Sequence, residues 1–235
     1  MPYTVTQQDI LTIGADAAVI SIENPMSVAD GPVNEALAAA GGEALRQTLR
    51  EKRFLPVGRA CASAPCGLPF RHLLVTAAPR WWNGEANELT VLHRCYAGLF
   101  ELAERLGCRT IATAFLSANY YQFPKAEAVA VACREAERAS VDTIFVAESA
   151  ELAALAGKSY RRPQIVAYLG WHRDHAAFLL DNGQYAKVDM RPEKRDVSVH
   201  PFLEPCYFDG RTAPPVPLPE EEKARLRRIY ETAEI

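Results

Sequence analysis

The stretch Ala17-Ala18-Val19-Ile20-Ser21-Ile22, continued by Glu23-Asn24-Pro25-Met26-Ser27-Val28-Ala29-Asp30-Gly31 and then by Pro32-Val33-Asn34-Glu35-Ala36-Leu37, decides the fold. The first six residues form a short apolar run and read as a strand. From Val33 to Arg50 the pattern changes period, with Val33, Leu37, Ala40, Leu45 and Leu49 on one helical face and Pro32 suited to the first turn. The unit is strand, loop, helix.

The same alternation recurs downstream. Residues 58–64 and 71–76 read as strands separated by the turn-forming Pro65-Cys66-Gly67-Leu68-Pro69. From Asn87 to Leu106, Leu89, Leu92, Tyr96, Leu99, Ala103 and Leu106 recur at spacings of three and four, and Gly107 closes the helix. Thr110 to Leu116 reads as a buried strand, Pro124 to Ser140 as a helix opened by proline, and Val141 to Val146 as another buried strand. Strands alternating with covering helices imply an α/β fold whose sheet is mixed and largely parallel. Past a boundary at Gly157 to Pro163 the character shifts, since eight of the 16 prolines fall in the last 75 residues. There Gln164 to Leu169 reads as a strand, and 176–180 with 184–188 as a β-hairpin around Asp181-Asn182-Gly183. A final helix begins at Glu220. The expected organisation is a core domain over residues 1–160 and a C-terminal extension of hairpin and helix, 161–235, packed on it.

Composition narrows the function classes. The 235 residues are 49% hydrophobic and 23% charged, with 26 Lys+Arg against 29 Asp+Glu and a net charge of -3. No apolar run reaches the 18 or so residues that span a bilayer, and the first ten lack the pattern of a signal peptide, so a cytoplasmic protein is expected. No long Lys/Arg cluster offers a dedicated nucleic-acid surface. The six cysteines, without CxxC spacing, read as buried thiols. His172 and His175 lie three apart, but a strand would point them to opposite faces, and neither a metal site nor another cofactor is expected. Oligomeric state is not legible.

In open α/β sheets ligands bind where loops leave the carboxyl ends of strands. Two loops stand out: 23–37, and Ser117-Ala118-Asn119-Tyr120-Tyr121-Gln122-Phe123-Pro124. Each leads from a strand into a helix and offers backbone N–H groups and a helix N-terminus to an anion. Together with Gln8-Asp9-Ile10, Pro56-Val57-Gly58, Leu68-Pro69-Phe70-Arg71-His72 and Cys95-Tyr96, in this order, they resemble the macro domain, an ADP-ribose-binding module of three layers, α/β/α, over roughly residues 3 to 155.

The resemblance implies residue roles. Asp9, beside Ile10, would accept a hydrogen bond from the adenine amino group, and Asn24 would hold the distal ribose. Gly31, Pro32 and Val33 would form one phosphate loop, Ser117, Ala118, Asn119, Tyr120 and Tyr121 the second, with Phe123 packing near the ribose and diphosphate. The departures point to a degenerate pocket. The acid of the family's hydrolytic members falls on Asn34, and an amide is no general base at neutral pH. Asp30 and Glu35 flank it as substitutes. Two expected glycines of the second loop are Asn119 and Gln122, Pro32 lacks an N–H, and the adenine-stacking aromatic falls on Glu148. The expected partner is ADP-ribose or an ADP-ribosylated protein or metabolite, with mono-ADP-ribosyl hydrolysis as an accompanying activity. The alternative is a non-catalytic interaction module that keeps the fold.

Overall fold

The structure, a computed structural model, describes residues 3–82, 87–119, 123–158, 160–200 and 216–233. The chain divides into two compact units, Met1–Arg80 with Thr90–Ser159, and Trp81–Leu89 with Tyr160–Ile235.

In the first unit the strands β1 (Tyr3–Thr6), β2 (Ala17–Glu23), β3 (Ser27–Val28), β4 (Ala60–Ser63), β5 (His72–Thr76), β6 (Thr110–Ala114) and β7 (Asp142–Val146) form one sheet. Its order is β1-β7-β6-β2-β5-β4, with β3 paired to β2 off this path. The pairs β1·β7, β7·β6, β6·β2 and β2·β5 are parallel, whereas β4 and β3 run antiparallel to β5 and β2. The sheet is thus mixed and largely parallel, as the sequence predicts.

Helices cover both faces. Ala18, Ile20 and Ile22 of β2 share a core with Leu73, Val75 and Val146 and with Val33, Leu37, Leu45 and Leu49 of α1 (Pro32–Lys52). On the other face Tyr96 of α2 (Glu88–Arg105) meets Phe145 edge-on, Phe115 stacks on Phe145 with centroids 4.6 Å apart, and α3 (Lys125–Arg138) packs near β1. A fourth helix, α4 (Ala150–Ala156), is capped by Ser149, whose side chain accepts from Leu152 N–H.

Several boundaries differ from the sequence reading, for local reasons. Helix α1 is not continuous: Gly42 adopts φ 55°, ψ -145° and kinks it. Gly41 rather than Ala40 lies on the buried face. A Cβ at Gly41 would come within 2.8 Å of the Leu45 Cβ, so close packing of the following turn depends on its absence. Strand β6 ends at Ala114, two residues early, because the chain turns through Ser117 at φ 64°. The turn is held where Leu116 N–H donates to the Tyr96 hydroxyl at 2.8 Å. Gly107, at φ 69°, ends α2 as predicted. The elements β1, β3, α4 and a 3-10 turn at Ile10–Thr12 are too short to carry a periodic signal.

The second unit adds one strand to the predicted strand, hairpin and helix. β8 (Ile165–His172), β9 (His175–Leu180), β10 (Tyr185–Asp189) and β11 (Val197–His200) form an antiparallel sheet in that order, joined by α5 (Glu220–Thr232). The expected hairpin is its β9·β10 pair. His172 and His175 face one another across the tight β8–β9 turn, and no group of three or more His, Cys, Asp or Glu able to hold a metal occurs among the described residues. Alternation gives this sheet one apolar face, with Ala176, Phe178, Ala186, Val188 and Val199 buried. The other face is polar: Asp189 binds the Arg191 guanidinium through both carboxylate oxygens, and the Ser198 hydroxyl lies 2.8 Å from His200 Nε2. Burial, then the neighbouring Lys187, pushes the His200 imidazole down to about 3. Among the described residues no helix is long and apolar enough to cross a membrane. Of the described cysteines only Cys95 and Cys108 are fully buried; Cys61, Cys66 and Cys133 are half-buried, and all five are free thiols.

Two outcomes follow from the first unit. Tyr96→Phe keeps the ring but strands the buried Leu116 N–H, which should cost about 1 to 3 kcal/mol and lower the urea midpoint with an unchanged slope. Asp16 accepts from Arg109 N–H at 2.8 Å and Thr110 N–H at 3.2 Å, and these bonds, aided by Arg71, hold its carboxyl below the ordinary 3.8. Its contribution is therefore complete above pH 3.8 and lost as pH falls through the depressed folded value. The stability gap between the parent and Asp16→Asn should narrow on acidification below pH 3.8 in pH-dependent denaturation; a gap that stays constant as the pH falls below that point would contradict this linkage.

Candidate functional site

A cleft opens at the carboxyl ends of β2, β6 and β7, where sheet geometry favours ligand binding. Val19 and Ser21 of β2, Ala29, Asp30 and Asn34 at the entry to α1, residues 114–117 and Asn119 after β6, and Glu148 after β7 line it. Its cavity volume is about 20 Å³, room for about one ordered water.

The loop into α1 is shaped by its residue types. Gly31, at φ 130°, is the N-cap, a conformation that disfavours any side chain. Pro32 follows at the first helical position, where its missing N–H costs nothing. The next N–H, of Val33, donates to Glu148 Oε1 at 3.1 Å, and the other Glu148 oxygen accepts from Asn119 Nδ2 at 3.1 Å. One carboxylate thus bridges the two strand-to-helix loops. Burial pushes the Glu148 carboxyl above its ordinary range, opposed by these two hydrogen bonds.

The asparagines are braces. Asn34 Oδ1 accepts from Ser21 N–H at 3.0 Å, while its Nδ2 donates to the Asp30 carbonyl at 3.2 Å. Asn24 does the same one loop away, donating to Leu55 O at 2.9 Å and accepting from Leu55 N–H at 3.1 Å. Ser117 donates its hydroxyl to Pro79 O at 2.8 Å. By contrast, the Ser21 hydroxyl is buried on the cleft wall without a hydrogen-bond partner.

Of the residues singled out in the sequence, Asp30, Asn34, Ser117 and Asn119 line the cleft, and Val33 reaches it through its N–H. Asp9 caps the 3-10 turn, accepting from Leu11 N–H at 3.0 Å, and Ile10 is buried. Glu35 stands exposed on the first turn of α1; Ala118 and Phe123 are buried. None of these five, nor Asn24, Gly31 or Pro32, is among the lining residues. Tyr120, Tyr121 and Gln122 lie outside the described residues. Ser21 and the bridging role of Glu148 escape a sequence reading. Their one signal is position, at the carboxyl end of a strand.

The Asn34 brace makes a test. Asn34→Asp keeps an acceptor for Ser21 N–H but sets a carboxylate oxygen against the Asp30 carbonyl, and Asn34→Ala leaves Ser21 N–H unpaired. Each should cost about 1 to 3 kcal/mol in chemical denaturation at pH 7; an aspartate variant as stable as the parent would show that the amide's donor end is idle.

A sequence model of the macro domain matches residues 23–132. A macro domain-containing protein of Mesorhizobium japonicum is 32% identical over 124 residues, which cover 53% of this chain and 70% of the relative. An O-acetyl-ADP-ribose deacetylase of Pantoea vagans is 33% identical over 133 residues, 55% of this chain and 77% of its own length. Among solved structures, the Trypanosoma brucei macrodomain in complex with ADP-ribose superposes with a TM-score of 0.58 at 21% identity, covering 66% of this chain and 67% of that one. That last likeness is one of fold.

Proposed function

The chain belongs to the macro domain family, and from that premise we propose that it binds ADP-ribose, or the ADP-ribosyl group of a modified protein or metabolite, in the cleft at the ends of β2, β6 and β7. The observation that carries the proposal is the convergence of Val33 N–H and Asn119 Nδ2 on one anionic group, the Glu148 carboxylate. Two donors from separate strand-to-helix loops, one of them on the first turn of a helix, form a cradle for negative charge. Support also comes from the bound ligand of the Trypanosoma brucei macrodomain and the name of the Pantoea vagans relative. Asp9 reads the adenine amino group: it follows β1, whose end pairs with the end of β7 through Thr6 and Val146, and one of its carboxylate oxygens caps Leu11 N–H while the other remains to accept.

Hydrolysis, where it occurs, runs slowly. With Asn34 serving as a brace and Glu148 engaged by Val33 and Asn119, Asp30 is the cleft-wall carboxylate outside these bridges and activates water, a role that usually contributes about 10² to 10⁴ in rate. The engagement of Asn24 and Asn34 with backbone favours a second reading, an interaction module without catalysis. The free thiols suit a reducing, cytoplasmic setting.

Calorimetric titration with ADP-ribose decides between the readings. Binding by the parent, weakened roughly 10-fold or more in Asp9→Ala, is the expected result. Release of ADP-ribose from a modified protein, lost in Asp30→Ala while binding is retained, would establish Asp30 as the base; release that survives the substitution would remove it from the reaction.

A further inference from the structure

Glu148 holds a place in the cleft that a bound anion would need. Val33 carries the first N–H of α1, because Pro32 before it has none, and the amide of Glu35 is already bonded to Gly31 O at 2.8 Å. That first donor points at Glu148 Oε1, and the donor from the second loop, Asn119 Nδ2, points at Glu148 Oε2. The cradle is filled by the protein's own carboxylate. Two anions cannot share these donors, since each would lose hydrogen bonds and the charges would repel across a few ångströms of partly desolvated space. Glu35 adds negative charge nearby. The Ser21 hydroxyl, meanwhile, is buried on the same wall and lacks a partner, as expected of a group that a ligand completes.

We propose that Glu148 is the specificity-determining residue of this cleft: its carboxylate competes with a ligand's phosphate for Val33 N–H and Asn119 Nδ2, so that a diphosphate enters only by displacing it. The inference rests on the reading of the cleft as the ligand site. A ligand that is uncharged at this point leaves the bridge intact, and the competition therefore biases the cleft against diphosphates relative to a chain with a neutral residue here. Ser21 hydrogen-bonds whichever ligand group enters.

The test compares the full-length parent with Glu148→Gln and Glu148→Ala, titrated separately with inorganic pyrophosphate and with ADP-ribose. Cooperative thermal unfolding of each variant is the check on folding, and glutamine, which removes the charge at nearly constant size, decides alone if the alanine variant fails it. Pyrophosphate is expected to bind both variants more tightly than the parent, roughly 10-fold for Glu148→Ala and less for Glu148→Gln. Equal or weaker pyrophosphate binding in the variants overturns the competition, even where ADP-ribose binds the parent well and the proposed function stands. If pyrophosphate follows the expected order while ADP-ribose binds none of the three proteins, the competition stands and the ADP-ribose reading falls. Silence from both probes in all three proteins overturns both.

Discussion

The fold is organised by the parallel pairing of β2 on both of its sides. Its residues Ala17 to Ser21 pair with β5, Ala17 and Ala18 pair with β6, Ser21 N–H is taken by Asn34 Oδ1, and residues 17–22 are buried above and below. A strand in that position cannot tolerate charge on either face, which is why six consecutive residues are apolar or small. Parallel neighbours must be joined by crossovers, and the crossovers put helices on both faces and all the strand-to-helix loops at one edge. The cleft is a consequence of that directionality.

Within the cleft, electrostatics and hydrogen bonding set what chemistry is available. The amides of Asn24 and Asn34 each join one donor and one acceptor of the backbone, a task that no carboxylate can perform because it only accepts. The same property that makes Asn34 a good brace removes it as a base. Negative charge enters instead from Asp30 and Glu148, and the second of these is held by donors from two different loops. Such a bridge couples the register of the loops to the protonation and position of one side chain.

The second unit solves a different problem. Its antiparallel sheet has one apolar face and one face with Asp189, Lys187, Ser198 and His200, all of them buried. Buried polar groups of this kind persist when they are mutually satisfied, and the Arg191 fork on Asp189 and the Ser198–His200 contact are two such pairings.

The sequence by itself determined the strand and helix alternation, the largely parallel sheet, the end of α2 at Gly107 and the two loops that border the cleft, because apolar period and turn residues are local properties. It also identified the amide at 34 and its chemical limit. Only the tertiary structure decided that Gly41 replaces Ala40 on the buried face, since that depends on how Leu45 packs after the kink at Gly42. The fourth strand of the second sheet was likewise hidden, because β11 has only four residues, Val197–His200, too few for a periodic signal. Above all, Glu148 stands 115 positions from Val33 and 29 from Asn119, and nothing in local pattern brings them together. Hydrogen bonds between remote segments are fixed by the sheet's register, which sets which loop ends are neighbours, and that register is a property of the folded whole.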